Sequence, residues 1–174
     1  MSKVETQVAE SSMGSLQQGL RSAIDWLALS ARLVAPPTLR IALAVPFLRS
    51  GLTKWDGLLS LSPTASYLFE EEFKLHIFGG EYDFPAPAVM AHLTAFAEIT
   101  LPILLVLGLA TRFAALGLLL MTGVIQLVVP DGWANFHLPW AAMAIAIVAL
   151  GAGPLSLDHL VEARIAASRP AAHP

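Results

Sequence analysis

The sequence predicts an all-α membrane protein: a transmembrane four-helix bundle with an N-terminal amphipathic helix and one short extramembrane helix in the first loop. Three observations carry this. First, 56% of the 174 residues are hydrophobic and only 13% are charged, with a mean hydropathy of +0.66. A soluble domain of this length has no interior large enough to hide so many apolar side chains. Second, the apolar residues gather into four runs that suit helices crossing a hydrocarbon core of about 30 Å. Third, prolines and glycines punctuate the chain between those runs.

Residues 1–12 are polar and read as a disordered tail. Leu16, Leu20, Ile24, Leu27, Ala31 and Val34 then recur at three- and four-residue spacing, with Arg21, Asp25 and Arg32 off the stripe. This pattern predicts an amphipathic helix on the membrane surface, and residues 1–35 form a region of their own. A cleaved signal peptide fits poorly, because Asp25 and Arg32 interrupt its apolar stretch. Pro36 and Pro37 end the helix and open a transmembrane domain over 36–160, followed by a cytoplasmic tail over 161–174.

The first span, 37–52, carries Arg40, Pro46 and Arg49 and is the least apolar. A long loop follows over 54–85, in which Ser62 caps a helix that starts at Pro63. That helix is expected to reach Phe78 and stop at Gly79-Gly80, with Leu68, Phe69, Phe73 and Ile77 against the mouth of the bundle. Span two, 86–107, holds His92, Glu98 and Pro102. The 108–112 link makes a tight antiparallel hairpin with span three, 112–129. A turn at Pro130–Gly132 leads to span four, 137–150, which Gly151, Gly153 and Pro154 terminate. Trp55, Trp133 and Trp140 fall near span ends, where indoles favour the interface. Gly117 and Gly123 are placed for close helix packing, and Thr122 for a bond back to its own helix.

Lysine and arginine set the orientation. Lys3, Arg21, Arg32, Arg112, Arg164 and Arg169 lie on one side; Lys54 and Lys74 lie on the other. Both termini are therefore expected in the cytoplasm, with the acidic long loop facing outward across a cell inner membrane.

An ionisable group in hydrocarbon costs several kcal/mol unless paired, so each is a candidate for function. At about 1.5 Å of rise per residue, Arg40 falls roughly 10 Å above the inner edge of its span and Glu98 roughly 18 Å below the outer edge of its own. The two depths nearly coincide, and Arg40 is expected to pair with Glu98. Arg49, His92 and Gln126 fall about 7–10 Å below the outer edge and form a second polar layer. The candidate ligand-binding residues are thus Arg40, Arg49, Lys54, His92, Glu98 and Gln126. Two readings stay open for them: a structural lock between helices, and a polar pocket for a small amphiphile such as a quinone head group with an apolar slot for its tail.

Other chemistry is excluded. There is no cysteine, hence no disulfide, thiolate metal ligand or thiol relay. His76, His92 and His137 are isolated from one another, without an HxxxH or HxxM pair, so no metal or haem site is expected. The net charge of −3 and the lack of a basic run exclude nucleic-acid binding.

Four segments together resemble the DoxX family of bacterial four-helix membrane proteins. They are Leu39-Arg40-Ile41 with Phe47-x-x-x-Gly51-x-x-Lys54; Glu98-x-x-x-Pro102; Gly108-Leu109-Ala110-Thr111-Arg112; and Gly151-Ala152-Gly153-Pro154-Leu155-Ser156-Leu157-Asp158. The resemblance covers residues 36–160. It implies that Arg40, Lys54, Glu98, Arg112 and Asp158 occupy the family's polar motif positions. It further implies a redox-associated subunit that links a partner enzyme, of redox or detoxification chemistry, to the membrane quinone pool. A non-catalytic membrane anchor or assembly partner, and a transport component for a small molecule or metal ion, are the alternatives. Whether the chain is itself an enzyme, and whether it forms a homo-oligomer, the sequence leaves open. Membrane lipid is its surrounding partner in every case.

Overall fold

The computed structural model describes residues 3–57 and 59–168, with side chains described from Gln17 onward apart from Leu58. Helix α1 spans Lys3–Leu52, α2 Pro63–Tyr67, α3 Pro87–Leu107, α4 Thr111–Val128, α5 Leu138–Leu150 and α6 Leu157–Ser168. Strands β1 (Lys74–Ile77) and β2 (Gly80–Asp83) form one antiparallel hairpin. The chain divides into two compact units, residues 1–35 and 36–174.

Two expectations for α1 are corrected. Residues 3–12 are helical, as suits a stretch of Glu, Gln, Ala and Val with no proline or glycine before Gly14. Pro36 and Pro37 lie inside the helix, as does Pro46. Each proline removes its own N–H bond and crowds the carbonyl four residues back, costs that membrane helices tolerate because neighbouring groups re-satisfy the freed carbonyls. In the first unit Leu20, Ile24, Trp26 and Leu27 are exposed, and the Ser30 hydroxyl donates to Trp26 O at 2.5 Å.

Among the described residues, four stretches are long and apolar enough to cross a membrane: Gln17–Leu52, Pro87–Leu107, Thr111–Val128 and Pro130–Leu150. The first is longer than the sequence predicted. The last begins earlier, because the expected turn is a 3-10 turn (Pro130–Gly132) and a π-helical turn (Trp133–His137) that run straight into α5. The protein is a multi-pass, predominantly helical membrane protein.

Its core is formed by Leu43, Ala44 and Phe47 of α1, Leu105 of α3, Ala114, Ala115 and Leu118 of α4, and Ala144 and Ile147 of α5. Four of these nine are alanine, and small side chains let membrane helices approach closely. Gly117 serves the same end, since a Cβ there would lie 2.8 Å from Leu101 Cδ1, whereas Gly123 faces open space. Thr122 donates to Leu118 O at 2.7 Å, satisfying its hydroxyl within its own helix.

The long loop departs from expectation beyond Glu72. Ser62 does cap α2, accepting from Ala65 N at 3.2 Å. A π-helical turn over Leu68–Glu72 then ends the helix, and residues 74–83 pair as β1 and β2 in place of a last helical turn. The two-residue turn is Phe78-Gly79, both left-handed at φ 50° and 81°. That is the turn geometry whose twist suits a tight hairpin. Lys74 pairs with Asp83 at 2.5 Å across the strands, and His76 Nδ1–H donates to Leu127 O at 3.0 Å, which ties the hairpin to the end of α4.

Candidate functional site

Glu98 sits midway along α3 and is 4% exposed. Its partner is Lys54, not Arg40: Lys54 Nζ lies 2.5 Å from Glu98 Oε2 and 2.8 Å from Ser50 Oγ. The chain reaches this point because α1 ends beside α3. Gly51 abuts Glu98 so closely that an added Cβ would lie 2.9 Å from the Glu98 backbone. Lys54, two residues past the helix end, then folds its stem back over the carboxylate. Pairing and the Ser50 hydroxyl offset the cost of holding these charges away from water.

Above the pair opens a cavity of about 810 Å³. Lys54, Glu98, Ser50 and Thr94 are its polar lining residues. Its walls are apolar: Phe47 of α1, Leu93 and Leu101 of α3, Met121 of α4 and Trp140 of α5. Phe69, Phe73 and Phe84 from the long loop complete it, with Phe69 meeting Phe73 edge to face at 5.2 Å and tilted against Phe84 at 5.6 Å. Phe47 and Trp140 contact each other at 5.1 Å. An apolar chamber with two opposite charges at its base can hold an amphiphile whose polar end both accepts and donates hydrogen bonds.

The expected Arg40–Glu98 pair is therefore wrong. Arg40, 3% exposed, lies at the opposite end of the bundle and donates through Nη2 to Leu155 O at 2.6 Å. An added Cβ at Gly108 would lie 1.8 Å from Arg40 Nη1, so Arg40 stands level with the end of α3. Glu98 lies ten residues back along that helix, about 15 Å away at 1.5 Å per residue. The depth count failed because it set the starts and ends of the spans level. In the folded chain α3 extends past the end of α1 by the eleven residues from Pro87 to Ala97, and the loop packs against that extension, as the Trp55–Phe96 ring contact at 4.9 Å marks.

The second polar layer does not form either. Arg49 is exposed. His92 is also exposed, and its Nδ1–H donates to Ala88 O one turn back at 2.8 Å. Only Gln126 turns inward, accepting from His137 Nδ1–H at 2.6 Å and donating to Pro130 O at 3.0 Å. A helix shows only part of its circumference to its neighbours, so equal depth without equal facing brings nothing together. Of the six candidates, Lys54 and Glu98 meet; Arg40, Arg49, His92 and Gln126 stand apart from them. The sequence reading missed Ser50, Trp140 and Phe84 as cavity residues. The four-residue spacings Phe47–Gly51 and Ser50–Lys54 were the available signal for the floor.

At the opposite end, the two remaining motifs meet. Asp158 Oδ1 accepts from Ala110 N at 2.7 Å and Oδ2 from Thr111 N at 2.9 Å, so it caps the start of α4 from a distant point in the chain. Asp158 N returns a bond to Gly108 O at 2.8 Å. Burial alone would push the Asp158 carboxyl up, but the bonds from Thr111 and Ala110 and the nearby Arg40 charge outweigh it and hold the pKa below the ordinary carboxylate value.

The DoxX profile matches residues 35–131, more than half of the sequence. The chain belongs to the DoxX family. The match takes in Arg40, Gly51, Lys54, Glu98 and the Gly108–Arg112 link, and stops before the Gly151–Asp158 segment. This DoxX chain is also 28% identical over 143 residues to an uncharacterized protein of Haemophilus influenzae, covering 71% of this chain and 81% of that one. No solved structure matches it.

Proposed function

We propose that this DoxX protein binds the head group of a membrane-dissolved quinone in the loop-end cavity, and serves as the membrane subunit that links a partner redox or detoxification enzyme to the quinone pool. The observation that carries the reading is the Lys54–Glu98 pair at the floor of an apolar chamber of about 810 Å³. A quinone carbonyl oxygen needs a donor, which the Lys54 ammonium supplies. A quinol hydroxyl needs an acceptor, which the Glu98 carboxylate supplies. The apolar walls suit an isoprenoid tail. In the same reading the protein resides in a cell inner membrane with both termini cytoplasmic, as the basic residues favour, and the cavity opens toward the outer side.

The test uses the full chain in nanodiscs, titrated with a short-tailed ubiquinone while tryptophan fluorescence is recorded, since Trp140 lines the cavity. Saturable quenching is expected, with Kd raised at least tenfold in Lys54→Met at unchanged helical content. Quenching that rises linearly with quinone in both proteins overturns the assignment. Reporter fusions after Gly80 and after Arg164 should fall on opposite sides of the membrane.

A further inference from the structure

The cavity that holds the Lys54–Glu98 pair has a wall of two kinds. The residues that α1, α5 and the long loop contribute to it are buried or half-buried. The exposed ones all lie where α3 and α4 face each other: Leu93 of α3, Leu120 and Val124 of α4, and Val129 just after it. Leu93, Leu120 and Val124 are 57%, 73% and 44% exposed while lining the cavity, so on this side it is open to the surroundings of the bundle. Every one of the four is aliphatic, as suits side chains that meet hydrocarbon. Two contacts frame this side. At one end Gly117 brings α4 against α3, where an added Cβ would stand 2.8 Å from Leu101 Cδ1. At the other end the His76 bond to Leu127 O holds β1 against α4. The stretch of α4 from Gly117 to Leu127 between them rises about 15 Å.

We propose that this side is a lateral port: the ligand enters from the bilayer between α3 and α4, and its hydrocarbon tail stays threaded past Leu93, Leu120 and Val124 while its head group meets Lys54 and Glu98. The inference rests on the reading of the cavity as a head-group site, and adds to it the route and the residues that select on the tail. The port acts by connection rather than by attraction. Lipid tails are as apolar as leucine, so a tail gains little by leaving lipid for the protein. A head group at the charge pair nevertheless keeps its tail only if the wall has a way out, and the exposed lining residues place that way between α3 and α4. The site therefore admits an amphiphile with a flexible chain tail, dissolved in the bilayer. A larger side chain at Val124 or Leu120 stands where the tail runs and leaves the head-group position free.

The full chain in nanodiscs, titrated with two benzoquinones that share the ubiquinone head group, one without a tail and one with a decyl tail, tests this. Tryptophan quenching is the readout, since Trp140 lines the cavity, and Kd is expressed per lipid so that partitioning into the bilayer cancels. Val124→Phe and Leu120→Phe/Val124→Phe should raise the Kd of the decyl quinone about tenfold, as overpacking an occupied apolar site does, and leave that of the tail-less quinone within about twofold. Leu116→Phe, one turn back on α4 at an exposed position outside the cavity, should change neither. All three positions are exposed, so wild-type melting temperatures are expected for these variants and are measured alongside. If Lys54→Met weakens both quinones while the Val124 and Leu120 variants treat the two alike, the head-group site stands and the port is overturned. If those variants exclude the decyl quinone while Lys54→Met changes nothing, the port stands and the head-group assignment falls. Absence of saturable quenching by either quinone in the wild type overturns both.

Discussion

Lys54 and Glu98 make an ion pair that can be tested without knowing the ligand. Their side chains are 13% and 5% exposed, with 2.5 Å between Nζ and Oε2. Removing one partner of a buried pair typically costs about 3–5 kcal/mol, because a lone charge stays behind. Lys54→Met and Glu98→Leu should each reach that range. The double variant leaves no orphan charge and should cost less than the sum of the singles by about 2–3 kcal/mol, within the span known for contacting residues. Denaturant unfolding of the detergent-solubilised protein, followed by circular dichroism, supplies the four free energies. A control is built into the fold. Arg40 and Glu98 lie about 15 Å apart along α3, so Arg40→Met and Glu98→Leu should add to within about 0.5 kcal/mol. If the Lys54/Glu98 losses are additive and the Arg40/Glu98 losses are not, the pairing described above is wrong and the two ends of the bundle have been misassigned.

Two further predictions concern the α3–α4 link. Gly108→Ala puts a Cβ 1.8 Å from Arg40 Nη1 and 2.5 Å from Ser156 Cβ, at a φ of 68°; the folded yield should collapse, whereas Ala110→Gly, at a non-glycine φ of 49° and an exposed position, should raise the melting temperature slightly. Asp158 has a depressed pKa in the folded state, so its contribution is fully present above the unfolded value near 3.9 and is lost as pH falls through the folded value. Melting temperatures between pH 6 and pH 3 should therefore fall further for the wild type than for Asp158→Asn; parallel curves would show that the cap does not depend on the charge.

Composition and punctuation made the bundle legible. All four spans, the tight hairpin at 108–112 and the Ser62 cap follow from local rules that need no knowledge of neighbours, though the first span starts earlier in the chain and so does the last. What failed shares one cause. The hairpin at 74–83 depends on α4, where His76 finds Leu127 O, and the helix through Pro36 and Pro37 depends on how little two prolines cost in an apolar setting. Neither influence is visible in a window of a few residues. The exposed Arg49 and His92 were credited with a shared site because depth can be counted along a chain while facing cannot.

The Lys54–Glu98 result shows why a family's motif positions can be read correctly one by one and wrongly as pairs. Each polar motif residue lies at an end of a helix, or beside one. The fold sorts them into two sets: Lys54, Gly51 and Glu98 where α1 stops against α3, and Arg40, Gly108 and Asp158 where α3 turns into α4. In each set a glycine permits the close approach and a carboxylate supplies the acceptor. The sets differ in what remains available. Asp158 is used up in closing the link, which makes that motif structural. Glu98 meets one ammonium at the edge of an open chamber, which leaves one carboxylate oxygen and one Lys54 N–H for a ligand. A ligand should therefore shift the melting temperature of the wild type by much more than that of the Lys54→Met/Glu98→Leu variant, while leaving the response to Asp158→Asn unchanged. Equal ligand-induced shifts in the wild type and the double variant would place the binding site elsewhere in the bundle.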